Sequence, residues 1–238
     1  MGAYPSRMAT EEIGAGVYRI DAHSISNGTN VLAISNADGW TLIDTGTTGG
    51  PKRIQPALSA LGVAPTKLTA IYLTHHHPDH IGGLPGMREW APNAEIVAPE
   101  YEAEIIRGKR PPDRSSNAVI RVLQGFSKLP LVQVNRTVSE GDLIAGFRVV
   151  DTPGHTAGHT SLLSDELGIL FTADAFGSLP KRLRVGVRAF TCTDPAQAKR
   201  SAEKLLEEDY RTVVFSHGAP LRDNPKERLK QVVAECRY

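Results

Sequence analysis

Apolar positions along the chain fall into short, branch-rich runs bounded by Gly, Pro, Asn and Asp, the pattern of β-strands. They predict strands over 16–22 (GVYRIDA), 30–35 (NVLAIS), 40–44 (WTLID), 68–74 (LTAIYLT), 94–99 (AEIVAP), 147–152 (FRVVDT), 160–164 (TSLLS), 168–173 (GILFTA) and 212–216 (TVVFS). Helical patterns lie between them: 51–61, with Pro51 at its start and Gly62 past its end, then 80–90, 99–107, 195–208 opening on DPAQA, and 224–235 opening on NPKER. Strands that come in consecutive pairs early and late, with helices interleaved, predict sheets covered by helices in one compact unit, a single domain over 1–238. Segment 107–117 (RGKRPPDRSSN) reads as a loop followed by a helix through AVIRVLQGF, and 177–192 carries four cations and no acid without a clear period.

Several strands run directly into a potential metal ligand. LTAIYLT leads to His75, FRVVDTPG to His155, GILFTA to Asp174 and TVVFS to His217. A metal site needs donors fixed on rigid elements, and strand ends supply that. In LTHHHPDHIGG (73–83), residues two apart in an extended segment share a side, so His75 and His77 reach one ion while His76 points away. Pro78 turns the chain, and Asp79 and His80 then open the next helix as a second pair. Taken alone, Asp79 reads more readily as a helix N-cap, and His155 or His217 more readily as a buried core or turn histidine; their joint placement favours the ligand reading.

At this point the sequence resembles the metallo-β-lactamase superfamily. THHHPDH matches its H-x-H-x-D-H signature, DTPGHTAGH its second ligand motif, FTADAF its bridging-aspartate motif and FSHG its last histidine, while LIDTG, with Asp44, matches a motif that supports the ligand loops. The motifs run in family order from about residue 15 to 220. The resemblance implies an α/β fold, a four-layer αββα sandwich with a metal cleft at one edge. It further implies that His75, His77 and His155 bind one metal, that Asp79, His80 and His217 bind the other, and that Asp174 bridges them. His159 matches a supporting position, whereas His23 and His76 match none.

Two such ions share and acidify a water, so the expected chemistry is hydrolysis: a metal-bridging hydroxide attacks a small ester, lactone or thioester, with Asp79 orienting the nucleophile or returning a proton. Imidazole and carboxylate donors without thiolate suit two Zn2+ per chain, with iron or manganese as alternatives, and a mononuclear iron dioxygenase of the persulfide dioxygenase kind is the second reading. A non-catalytic metal- or partner-binding protein is the third; it would be expected to have lost ligands. Lactonases of the superfamily often place a tyrosine three residues after the bridging aspartate, where this chain has Gly177, next to Phe176.

Composition narrows the partners. Twenty-seven basic and 26 acidic residues leave a net charge of +1, so no global field draws the chain to nucleic acid or an anionic membrane, and a small-molecule substrate is expected. The start, MGAYPSRMATEEIGAG, lacks the profile of a signal peptide, which predicts a cytoplasmic location. Cys192 and Cys236 are too few for a disulfide framework. Lys181, Arg182, Arg184 and Arg188 follow the bridging-aspartate strand and either bind a substrate anion or form a solvated loop. Ile120, Leu123 and Phe126 either wall a lid or pack in the core. The sequence leaves the oligomeric state open.

Overall fold

The computed structural model describes residues 10–124, 129–178 and 182–237. One sheet has seven strands in simple chain order: β1 (Thr10–Gly14), β2 (Val17–Asp21), β3 (Asn30–Asn36), β4 (Gly39–Ile43), β5 (Leu68–Tyr72), β6 (Glu95–Pro99) and β7 (Arg136–Val138). The second sheet runs β14 (Thr212–Val214), β11 (Ile169–Phe171), β10 (Thr160–Ser164), β9 (Phe147–Asp151), β8 (Leu143–Ile144). A small ribbon pairs β12 (Phe176–Gly177) with β13 (Arg184–Val185). Helices α1 (Pro51–Ala60), α3 (Leu84–Trp90) and α4 (Glu100–Ile106) cover the first sheet, while α6 (Pro195–Leu206) and α7 (Pro225–Glu235) cover the second.

The central strands, such as β3 and β10, are buried along nearly their whole length on both faces, and alternation sorts their side chains into separate layers. In the first sheet Val31, Ala33, Leu42 and Ile71 face the helices, while Leu32, Ile34, Ile43 and Tyr72 face the other sheet. In the second, Val150, Leu163, Leu170 and Val213 face α6 and α7, while Val149, Leu162, Phe171 and Val214 point inward. Three apolar layers between four layers of structure make the αββα sandwich. Across the middle layer the Tyr72 hydroxyl and Thr160 Oγ1 are 2.8 Å apart, and burial raises the Tyr72 phenol well above its ordinary pKa.

Several expectations need correction. The helix over 80–90 is two pieces, α2 (Pro78–Ile81) and α3, separated at Gly82–Gly83. A Cβ on Gly83 would overlap Thr45 O, and one on Gly82 would lie 2.9 Å from Thr48 N, so the 45–48 segment lies where a continuous side-chain-bearing helix would run. Strands β1, β7, β8, β12 and β13 escaped the sequence reading because they are short or carry too few apolar residues. Helix α5 (Ala118–Gln124) is not core: Val119 and Val122 are exposed and Ile120 is half-buried, while the Leu123 side chain and Phe126 lie outside the described residues. Among the described residues no helix is long and apolar enough to cross a membrane.

Candidate metal centre

Strands β4 and β5 run parallel in the first sheet, as do β11 and β14 in the second, so the loops after their C-terminal ends share one edge of the sandwich. Asp44 follows β4, His75 and His77 follow β5, Asp174 follows β11 and His217 follows β14. His155 comes from the β9–β10 connection, and Asp79 and His80 from the first turn of α2. No side-chain cap bond is made at the start of α2, so Asp79 is not the N-cap.

Donor atoms converge in three overlapping groups, each within 4.8 Å: His75 with His77 and His155, His75 with His80 and Asp174, and Asp79 with His80 and His217. Asp174 faces both sides, with Oδ2 3.2 Å from His155 Nε2 and Oδ1 3.4 Å from both His80 Nε2 and His217 Nε2. The outer ring nitrogens are committed elsewhere. His80 Nδ1 donates to Asp44 Oδ2 (2.8 Å) and His217 Nδ1 to Gly28 O. Thr74 Oγ1 donates to Asp44 Oδ2 (2.8 Å), so it accepts from His75 Nδ1 (3.0 Å). These bonds leave Nε2 of each ring turned to the centre. Asp44, in the left-handed region at φ 63°, also accepts from Thr74 N (2.8 Å), and His80 O accepts from Thr45 N (2.7 Å) and Thr45 Oγ1 (2.8 Å).

The charges follow from packing five imidazoles against two carboxylates. Burial and the neighbouring imidazoles hold His75 and His77 well below their ordinary value, so both are neutral. Burial alone would lower His217, but Asp174 and Asp79 raise it to about 10, and Asp174, Asp44 and Asp79 likewise raise His80. Burial opposes ionisation of Asp79 and Asp174, yet the facing histidines hold both carboxyls well below the usual range. Without a cation, then, the carboxylates draw protons onto His80 and His217. A metal ion supplies the same positive charge, and buried His75 Nε2, His80 Nε2 and Asp174 Oδ1, which make no hydrogen bond, are the donors it needs. The residues fit a metal.

Supporting residues lie outside this set. His159 Nδ1 donates to Thr152 O (3.1 Å), so its Nε2 accepts from Asp174 N (3.0 Å); burial and the neighbouring His155 lower its pKa to about 3, which keeps that acceptor available. Sequence reasoning missed Glu102 and Asn30. Fully buried on α4, Glu102 accepts from His76 N (2.9 Å), His76 Nδ1 (2.6 Å), Thr156 Oγ1 (2.6 Å) and Gly158 N (3.2 Å), so it joins the His75–His80 loop to the His155–His159 loop. Asn30 donates to Phe215 O (3.0 Å) and Gly218 O (2.7 Å), pinning the His217 turn to the first sheet. Neither has a local motif; a polar residue opening an otherwise apolar strand was the only signal for Asn30. His76 takes no part in the donor groups.

The centre sits in a cleft of ≈ 460 Å³ whose walls include His23, Thr47, Gln124, Arg188, Phe190 and Thr191. The basic segment divides. Arg188 lines this cleft, whereas Arg182 and Arg184 line a separate depression with Val232 and Glu235, and Lys181 lies outside the described residues.

Comparison with known proteins gives a consistent picture. The model of the metallo-beta-lactamase superfamily matches residues 26–217. The uncharacterized protein YobT of Bacillus subtilis is 27% identical over 220 residues, covering 87% of this chain and 90% of that protein. The hydroxyacylglutathione hydrolase of Photobacterium profundum is 30% identical over 159 residues, covering 65% of this chain and 49% of the enzyme; the match thus spans about half the length of that relative. Among solved structures, the subclass B3 metallo-beta-lactamase BJP-1 of Bradyrhizobium japonicum superposes with a TM-score of 0.68 at 21% identity, covering 95% of this chain and 89% of that one. A metallo-beta-lactamase family protein from Thermus thermophilus gives 0.68 at 24% identity, covering 92% and 79%. At these identities the structures speak for the fold alone.

Proposed function

The chain belongs to the metallo-beta-lactamase superfamily and is a metallohydrolase, and from that premise we propose a dinuclear zinc enzyme acting on a small ester, lactone or thioester. In this reading His75, His77 and His155 hold one ion, Asp79, His80 and His217 hold the other, and Asp174 holds both. The observation that carries it is the placement of Asp174, whose two carboxylate oxygens face different histidine groups. Imidazole and carboxylate donors without a thiolate favour zinc. The half-length match to hydroxyacylglutathione hydrolases supports the thioester member of the substrate set.

When bound, the ions supply an acidified water and polarise the scissile carbonyl. The chain supplies order and proton handling. Asp79, ionised beside His80 and His217 and open to the cleft, orients the attacking water and returns its proton to the leaving group. Asp44 and His159 hold His80 and Asp174 in register, so little reorganisation is needed as charge develops. A screen of metal-reconstituted protein over esters, lactones, thioesters, phosphodiesters and β-lactams tests this: turnover of one of the first three, abolished by chelator and restored by zinc, is expected. Turnover confined to phosphodiesters or β-lactams contradicts the substrate class, and one iron per chain with oxygen-dependent turnover contradicts the zinc assignment.

A further inference from the structure

We propose that Arg188, stacked on Phe190 at the mouth of the cleft, anchors a carboxylate of the substrate, so that the preferred substrates are anionic. The inference rests on the hydrolase reading and adds the charge of the part of the substrate that does not react.

Three observations carry it. The first is Arg188's want of a partner. Arg19, Arg110, Arg136, Arg148 and Arg222 each pair with a carboxylate, whereas among the described residues other arginines such as Arg53 and Arg121 do not; what sets Arg188 apart is that it is the one lysine or arginine among the described lining residues of the cleft. Arg188 pairs with none among the described residues, which include every Asp and Glu side chain of the chain. Its guanidinium lies 5.6 Å over the Phe190 ring, an arrangement that presents the planar fork without occupying its donors.

The second observation is the way the segment is held. Gly186 and Val187 both have left-handed backbone, at φ 63° and 56°, a strained conformation for a β-branched residue that persists only where the surroundings enforce it. They do: Gly186 N donates to Ala175 O (2.8 Å), beside Asp174; Thr191 Oγ1 donates to Arg188 O (2.7 Å); Ser115 Oγ donates to Phe190 O; and Thr193 N donates to His155 O (3.0 Å). Val187 Cγ2 fills the space into which a Cβ at Gly177 would project, 2.9 Å away. The rim carrying Arg188 is therefore bolted to two residues of the metal centre's own loops.

The third is the charge of the cleft. Asp79 and Asp174 are the only carboxylates among its described lining residues, and both are assigned to the metals. The outer part, with His23, Gln124, Arg188 and Phe190, offers a carboxylate no repulsion and one bidentate donor.

The test compares zinc-loaded wild type, Arg188→Ala, Arg188→Lys and, as a control from the other depression, Arg184→Ala. The substrates are S-propionyl mercaptoacetate and its neutral twin S-propionyl mercaptoacetamide. Wild type is expected to prefer the anion; the ratio of kcat/KM values should fall about tenfold in Arg188→Ala, the span of one charge-assisted pair, less in Arg188→Lys, and not at all in Arg184→Ala. Calorimetric binding of (propylthio)acetate to the same proteins should weaken in parallel, since any contribution of the ions is common to all of them. An unchanged ratio, or equal affinity of wild type and Arg188→Ala for (propylthio)acetate, overturns the proposal. If neither thioester is turned over, thioester hydrolysis fails by itself and the calorimetric comparison still decides the anion site.

Discussion

A carboxylate buried without an adjacent Lys or Arg is costly unless hydrogen bonds replace its water, and Glu102 meets that condition with four donors from two ligand loops. Each bond fixes backbone or side chain within one to three residues of a proposed ligand. Glu102→Gln keeps the shape but replaces an acceptor oxygen with a donor. It is expected to weaken zinc affinity roughly ten- to a hundredfold, measured by chelator competition, and to change the visible spectrum of the cobalt-substituted protein. A lower melting temperature with unchanged affinity and spectrum would reduce Glu102 to a core residue. Of the seven candidate ligands, His75, His77, Asp79 and His80 were legible from spacing in one short stretch, while His155, Asp174 and His217 were legible from their place after apolar strands and from the motifs that resemble the superfamily's. Glu102 was not, because in APEYEAEII it reads as one more acid on a helix, and its partners lie 26 and 54 positions away.

Among the elements, the longer central strands were legible from composition because burial on both faces makes them largely apolar, whereas edge strands such as β1 and β7 are polar and were not. Helix ends were legible wherever chemistry marks them, as with Asp194, whose side chain accepts from Gln197 N to cap α6. What escaped was set by contact between elements: nothing local to GGLPG reveals that Thr45 O lies against Gly83. The break between α2 and α3 lets the Thr45–Thr48 segment approach while Thr45 holds the carbonyl of His80. Gly83→Ala forces a Cβ into Thr45 O and is expected to destabilise the fold by about 1–3 kcal/mol in urea titration. Gly49→Ala, whose Cβ meets nothing closer than 3.7 Å, should change stability by less than about 0.5 kcal/mol. Equal effects of the two substitutions would show that close approach does not govern the break.

At the scale of the molecule, the proposed centre lies where two sheets meet: the first half contributes His75, His77, Asp79 and His80, and the second contributes His155, Asp174 and His217. Neither half has a complete set, so metal affinity and folding are coupled. This coupling has a pH signature in the chelator-stripped protein. His217 stands at about 10 against an ordinary 6.5, and His80 is raised too; stability from a raised base is fully present below 6.5 and is lost as pH climbs through its folded value. His159, lowered to about 3, acts the other way and removes stability as pH falls below 6.5. The stripped protein's urea midpoint is therefore expected to peak near pH 6.5 and to fall towards 10, while the zinc-loaded protein, with ions in place of those protons, holds its midpoint over the same range. A midpoint that rises on stripped protein from about pH 7 to 9 would contradict the charge pattern. The central claim, that two metal ions share Asp174 in a hydrolytic centre, is tested most directly by zinc stoichiometry measured beside thioester or ester turnover in wild type and Asp174→Ala. Two ions per wild-type chain are expected, falling to about one in the variant together with at least about a hundredfold of the turnover. A single ion in the wild type, or a variant that keeps both ions and full turnover, would contradict it.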